Sequence, residues 1–128
     1  MTKQDILIVE DNMIIAIDIK GRIENFGYNV PAIVATGEQA LRISAESKPD
    51  LIIMDIGLKG SMNGIETGMK IRMDFNIPVL YLTGNSNLLK QHNISDPWID
   101  KPYNDSELKT LIDKLLEKPP ASKNKSDI

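Results

Sequence analysis

Ile6-Leu7-Ile8-Val9-Glu10-Asp11 is an apolar run closed by two acids, and it sets how the rest of the chain is read. Leu51-Ile52-Ile53-Met54 closes on Asp55 in the same way. Val79-Leu80-Tyr81-Leu82 closes on Thr83, and Trp98-Ile99-Asp100 leads into Lys101-Pro102. Short continuous apolar runs separated by helical patterns read as strands buried on both faces of a parallel sheet. In open α/β sheets, ligands bind outside the carboxyl ends of the strands. Three carboxylates, a hydroxyl and an ammonium are therefore expected in one shallow cleft. Such a set suits a divalent cation and a phosphoryl group.

The segments between these runs supply the helices. Residues 5–9 form the first strand, and residues 13–25 a helix with Ile14, Ile15, Ile17, Ile19, Ile23 and Phe26 as its apolar stripe, stopped at Gly27. A second strand is expected over 28–34, where Pro31 marks an edge position or a bulge. Thr36-Gly37-Glu38-Gln39 has the form of a capping box and opens a helix to about Ser47. Lys48-Pro49 turns into a third strand, 50–54, followed by a glycine-rich loop over 56–63 and a helix over 64–75. Ile77-Pro78 opens a fourth strand, 78–82. Residues 98–100 form a brief fifth strand, and Asn104 or Asp105 caps a final helix over 105–117. The expected fold is α/β, a doubly wound five-stranded parallel sheet, in one domain over residues 1–117. From Lys118 the composition turns polar and proline-rich, so 118–128 is expected to be a disordered tail or linker.

Composition narrows the function classes. The chain has 128 residues, enough for a single core. A net charge of -3 and a pI near 5.1 give no reason to expect direct binding to nucleic acid or an anionic membrane. No apolar stretch approaches the roughly 20 residues that span a bilayer. The absence of cysteine excludes disulfides and thiolate metal sites, and the single His92 excludes a multi-histidine centre. The expected setting is the cytoplasm.

Asp55 stands alone at the end of a central strand and is the candidate carboxylate nucleophile toward phosphorus. Attack by an anion on a phosphoryl dianion is disfavoured unless cations offset the charge. Glu10 and Asp11 are suited to Mg²⁺, a hard ion that prefers oxygen ligands. Lys101 supplies a second positive charge, and the Thr83 hydroxyl is a hydrogen-bond donor.

Glu10-Asp11, Asp55, Thr83 and Lys101-Pro102, in that order and each after an apolar strand, resemble the receiver domain of two-component response regulators, which has the CheY-like, flavodoxin-like (βα)5 fold. The likeness runs from residue 4 to about 117. Met54-Asp55-Ile56-Gly57-Leu58-Lys59-Gly60 and Gly64-Ile65-Glu66 resemble one receiver subgroup. The resemblance implies that Asp55 accepts a phosphoryl group from a phosphohistidine on a sensor histidine kinase or phosphotransfer protein. It implies that Asp11 ligates Mg²⁺ directly, Glu10 through water, and Gly57 through its backbone carbonyl. It also implies a switch in which Thr83 moves toward the phosphoryl group and Trp98 turns inward, and a cis Lys101-Pro102 peptide. No organic cofactor is implied, and the chain is expected to be a signalling domain rather than an enzyme.

Three features depart from the common receiver pattern. The loop after Asp55 lacks the usual proline, places Asn63 where an aspartate often stands, and is one residue longer. Gly57 and Asn85 flank the cleft at positions that influence acyl-phosphate lifetime in the family. The stretch from Thr83 to Lys101 is about four residues short, leaving 86–92 room for one to two helical turns. The fourth helix is therefore expected to be shortened, and the face it contributes to is expected to be reshaped.

Taken singly, these residues have ordinary explanations. Asp11 could cap a helix, Lys101 could be a surface lysine, Thr83 could satisfy its own backbone and Trp98 could simply pack. Their common register favours the functional reading. The alternatives weighed are a receiver-like interaction module that works without phosphorylation, an aspartyl phosphohydrolase and a nucleotide-binding flavodoxin-like domain. The phosphohydrolase would need a second acid where Gly57 stands, and the nucleotide binder a glycine-rich loop after the first strand. Downstream partner and oligomeric state are not encoded in any motif.

Overall fold

A computed structural model describes residues 3–57 and 63–117. Five strands and five helices alternate among them: β1 (Asp5–Val9), α1 (Met13–Asn25), β2 (Asn29–Val34), α2 (Gly37–Ser47), β3 (Leu51–Asp55), α3 (Gly64–Phe75), β4 (Val79–Thr83), α4 (Asn87–Gln91), β5 (Trp98–Asp100) and α5 (Asp105–Leu116). All pairings are parallel, in the order β2-β1-β3-β4-β5. This is the doubly wound α/β fold expected. The chain moves outward to β2 on one side of β1 and to β3, β4 and β5 on the other. The reversal leaves a crevice beyond the carboxyl ends of β1 and β3, where such folds place ligands.

Both faces of the sheet are covered, so the central strands are apolar between their end residues. Ile6, Ile8, Ile53 and Leu80 pack with Ala16, Ile19 and Ile23 of α1 and Leu108 and Ile112 of α5. Leu7, Val9, Ile52 and Met54 pack on the opposite face with Ala40 of α2, Ile65 and Ile71 of α3, and Leu89 of α4. Burying one such side chain contributes about 1.5–3 kcal/mol, so the sheet centre anchors the fold.

The stripe expected on α1 is corrected. Ala16, Ile19 and Ile23 face the core, whereas Ile14, Ile15 and Ile17 are 82%, 41% and 59% exposed. Positions 16, 19 and 23 recur at helical spacing, and residues 14, 15 and 17 fall on other faces of the same cylinder. Small Ala16 carries no strong hydrophobic signal, yet it marks where α1 meets the sheet.

Pro31 fulfils both of its alternatives. β2 is an edge strand, and its register against β1 slips by one residue between the Asp5–Asn29 and Leu7–Ala32 pairs. Thr36 and Gln39 form the expected capping box, and Asn104 with Glu107 forms another on α5. Gly27 follows α1 at φ +103°, a conformation that favours glycine. α4 has five residues and no side-chain cap at Ser86, in keeping with the shortened helix expected. The loop residues 58–62 and the tail 118–128 lie outside the described residues. Among the described residues, no helix is long and apolar enough to cross a membrane.

Candidate functional site

The site begins with strand ends. β1 runs out at Val9, and Glu10 and Asp11 follow before α1 starts at Met13. β3 includes Asp55 as its last residue, and β4 includes Thr83, each one position later than the sequence pattern suggested. Because β1 and β3 are adjacent with Val9 opposite Met54, Glu10, Asp11 and Asp55 emerge side by side. Each offers a carboxylate oxygen, and these oxygens lie within 4.8 Å of one another. They border a cleft of about 400 Å³ lined also by Asn12, Ile15 and Gly57.

Glu10 is nearly enclosed, at 2% exposure, while its neighbours are half-buried. Its Oε2 accepts a hydrogen bond from the backbone N–H of Asn12 at 3.0 Å, but its buried Oε1 has no hydrogen-bond partner. Burial, and then the nearby Asp55 and Asp11, push the Glu10 carboxyl up to about 7, against the opposing hydrogen bond from Asn12. Crowded carboxylates with an unpartnered buried oxygen fit a hard divalent cation, which takes oxygen ligands and offsets their mutual repulsion.

The cation side of the cleft comes from the other strands. Lys101 Nζ lies 3.5 Å from Asp55 Oδ1, and the Gly57 backbone N–H donates to the same oxygen at 3.2 Å. The Lys101-Pro102 peptide is cis, as expected. Lys101 is also tied by its backbone N–H to the Thr83 carbonyl at 2.7 Å. The Thr83 side chain is buried, and its Oγ1 accepts from the Asn85 N–H at 2.8 Å; Asn85 Oδ1 in turn accepts from the Asn87 N–H at 3.2 Å. The Thr83 hydroxyl is thereby linked to the start of α4.

Trp98 stands apart from this group. It pairs with Tyr81 across β5 and β4 and packs against the α2–α3–α4 side of the core. It also borders a hollow of about 520 Å³ between β5 and α5 that includes Asp100, Pro102, Glu107 and Leu111. That hollow is larger than the acid cleft, but among the described residues it holds no cluster of three acids like Glu10, Asp11 and Asp55, so its size does not make it the chemical centre.

Two contributors were missed in the sequence. Asn12 caps α1, accepting from the N–H groups of Ile14 and Ile15, and simultaneously holds Glu10. An asparagine directly before a helix is a readable capping signal. Gly64 is the other: a Cβ there would stand 2.3 Å from the Asp55 carbonyl oxygen and 2.5 Å from Ile56 Cα. The start of α3 approaches the end of β3 this closely because residue 64 has no side chain.

Comparison with known proteins agrees with this architecture. The family description "Response regulator receiver domain" matches residues 6–113. The phyllosphere-induced regulator PhyR of Methylorubrum extorquens is 30% identical over 115 residues, covering 88% of this chain and 43% of PhyR. The DNA-binding response regulator MtrA of Mycobacterium tuberculosis is 32% identical over 110 residues, covering 83% of this chain and 47% of MtrA. The chain thus spans about half the length of these curated relatives. Among solved structures, the receiver domain of the sensor histidine kinase PA1611 from Pseudomonas aeruginosa superposes with a TM-score of 0.81 at 27% identity, covering 91% of this chain and 100% of that one. That domain holds a magnesium ion in its active-site cleft. With its parallel sheet, its strand-end acids and a family match across nearly all the described residues, the chain belongs to the response regulator receiver domain family.

Proposed function

We propose that this receiver domain accepts a phosphoryl group on Asp55 from a phosphohistidine of a sensor histidine kinase or phosphotransfer protein, in a Mg²⁺-dependent reaction, and signals to a partner by changing conformation. The observation that carries the reading is the convergence on Asp55 of two further acids and the Lys101 ammonium. Asp55 attacks phosphorus, and the bond from phosphorus to the donor nitrogen breaks. Lys101 offsets negative charge on a phosphoryl oxygen, and the Thr83 hydroxyl is free to donate its proton to another while Oγ1 still accepts from Asn85. Glu10, Asp11, Asp55 and the Gly57 carbonyl would hold Mg²⁺, which when bound neutralises charge on the transferring group.

The chain of hydrogen bonds from Thr83 through Asn85 to Asn87 supports the switch. Drawing the Thr83 hydroxyl toward a phosphoryl group on Asp55 pulls on the entry to α4. That helix is short and has no side-chain cap from Ser86, so it resists little. We assign Thr83 as the switch residue, with Trp98 responding from the edge strand. The exposed apolar side chains of Met13, Ile14 and Ile17, on the helix that follows the acids, suit a protein donor. Residues 1–117 would form the receiver unit, 118–128 a tail or linker, and the cytoplasm the setting.

Reductive trapping tests the acceptor. After incubation with a phosphorylated histidine donor and Mg²⁺, borohydride reduction of an acyl phosphate should convert residue 55 to homoserine, located by peptide mass spectrometry. Homoserine at another position would move the acceptor. Its absence throughout would favour an interaction module that works without phosphorylation.

A further inference from the structure

A hollow of about 320 Å³ opens between α3 and the segment joining α4 to β5. Met69, Arg72 and Met73 of α3, Tyr81 of β4, and Ile94 and Asp96 of the joining segment border it. None of the six lines the acid cleft or the hollow between β5 and α5. The volume falls in the range of small-molecule sites, roughly 300–1,000 Å³. Met69 is 41% and Met73 81% exposed, so core packing does not account for two methionines here.

Two buried polar groups at this hollow are incompletely paired. Tyr81 is fully enclosed, yet its hydroxyl has no hydrogen-bond partner among the described residues. Its ring reaches α3 at Gly68, where a Cβ would collide with the hydroxyl, so the group is held at this wall. A buried hydroxyl without a partner is costly, and native proteins keep few of them. Asp96 is 8% exposed, and Arg72 Nε stands 3.5 Å from its Oδ1, a long ion pair. Burial raises the Asp96 carboxyl, against the pull of Arg72. Burial, and then Asp96, raise the Tyr81 hydroxyl, so it stays neutral and keeps a proton to donate.

The hollow thus offers one donor and one acceptor beside two thioethers and a guanidinium. A single hydroxyl satisfies both polar groups, accepting from Tyr81 and donating to Asp96. Methionine sulfur and arginine both favour aromatic rings. An anionic ligand would meet Asp96 and a cationic one Arg72, so a neutral ligand fits best. We propose that this hollow is a binding site for a small free phenol, its ring against Met69, Met73 and Arg72 and its hydroxyl directed to Tyr81 and Asp96. Both polar groups are enclosed, so the ligand must enter the hollow, which suits a free molecule better than a side chain borne on a partner's surface.

Titration of the full chain with p-cresol, followed by NMR of methyl-labelled methionine and isoleucine, tests this. Saturable shifts at Met69, Met73 and Ile94 are expected, with a Kd of about 1 mM or tighter. Tyr81→Phe, which removes the unpaired hydroxyl, should fold as stably as wild type and bind p-cresol about tenfold more weakly. 4-Methylanisole, whose oxygen cannot donate to Asp96, should bind the wild type about tenfold more weakly than p-cresol, a comparison that needs no variant to fold. No saturable shift in the wild type, as when water alone fills the hollow, would overturn the proposal. So would shifts centred on another part of the chain, equal binding of the two ligands, or undiminished p-cresol binding by Tyr81→Phe. Tighter binding of N-acetyltyrosinamide than of p-cresol would assign the hollow to a partner's tyrosine and overturn the free phenol.

Discussion

Lys101 Nζ lies 3.5 Å from Asp55 Oδ1, joining the segment after the edge strand β5 to the end of the central strand β3. The lysine is partly exposed, so the ion pair contributes little to folding, about 0–1 kcal/mol. In the proposed reaction its use is positional: it would place a cation beside the phosphoryl group on Asp55. Lys101→Met should unfold within about 1 kcal/mol of wild type in urea. Its rate of phosphorylation by acetyl phosphate should fall about 10²-fold, comparable to losing one preorganised donor. A rate within twofold of wild type would remove Lys101 from the chemistry.

Glu10 makes stability depend on pH. Its folded carboxyl titrates near 7, above the ordinary 4.5, because burial and neighbouring acids oppose its charge. Between these values the native state binds more protons than the unfolded chain, so stability should fall as pH rises from about 4.5 to about 7. Relative to Glu10→Gln, the wild type should lose about 1–3 kcal/mol across this window. Denaturant melts of both proteins without divalent cation at several pH values check this. Parallel pH profiles would show that Glu10 is not the cause.

Asp11 shares the crowded acid cluster. Asp11→Ala should weaken Mg²⁺ binding at least about tenfold by calorimetry, since a carboxylate ligand and its charge are lost. It should also raise stability in metal-free buffer by up to about 1 kcal/mol, because repulsion with Glu10 and Asp55 is relieved. Unchanged Mg²⁺ affinity would exclude Asp11 from the site.

Gly64 links fold to site. A Cβ would stand 2.3 Å from the Asp55 carbonyl oxygen, closer than packed atoms allow. Gly64→Ala should therefore destabilise by about 2–4 kcal/mol and displace Asp55. Loss of stability together with slowed phosphorylation is expected. An alanine variant as stable as wild type would mean that α3 can move away without cost.

Much of this was legible because buried parallel strands leave a strong local signal. Ile6–Val9 and Leu51–Met54 are apolar on both faces, and the polar residue ending each run lies where the sheet ends. The Thr36–Gln39 box and the break at Pro31 were equally local, since side-chain and backbone donors there find partners within a few residues. The face of α1 was read less well. Ile14, Ile15 and Ile17 are strongly hydrophobic, but what buries a helical residue is the angle at which its helix meets the sheet, and Ala16 lies at that contact. Gly64 was not legible for a related reason, since its close approach to Asp55 exists only in the assembled fold, whereas the Asn12 cap and its bond to Glu10 are local and could have been read.

The most direct test of Asp55 as a Mg²⁺-dependent phosphoacceptor is intact mass after incubation with acetyl phosphate and Mg²⁺, with and without EDTA, in wild type and Asp55→Asn. A gain of one phosphoryl group that requires Mg²⁺ and is absent from Asp55→Asn is expected. A gain that survives EDTA, or that persists in Asp55→Asn, would contradict it.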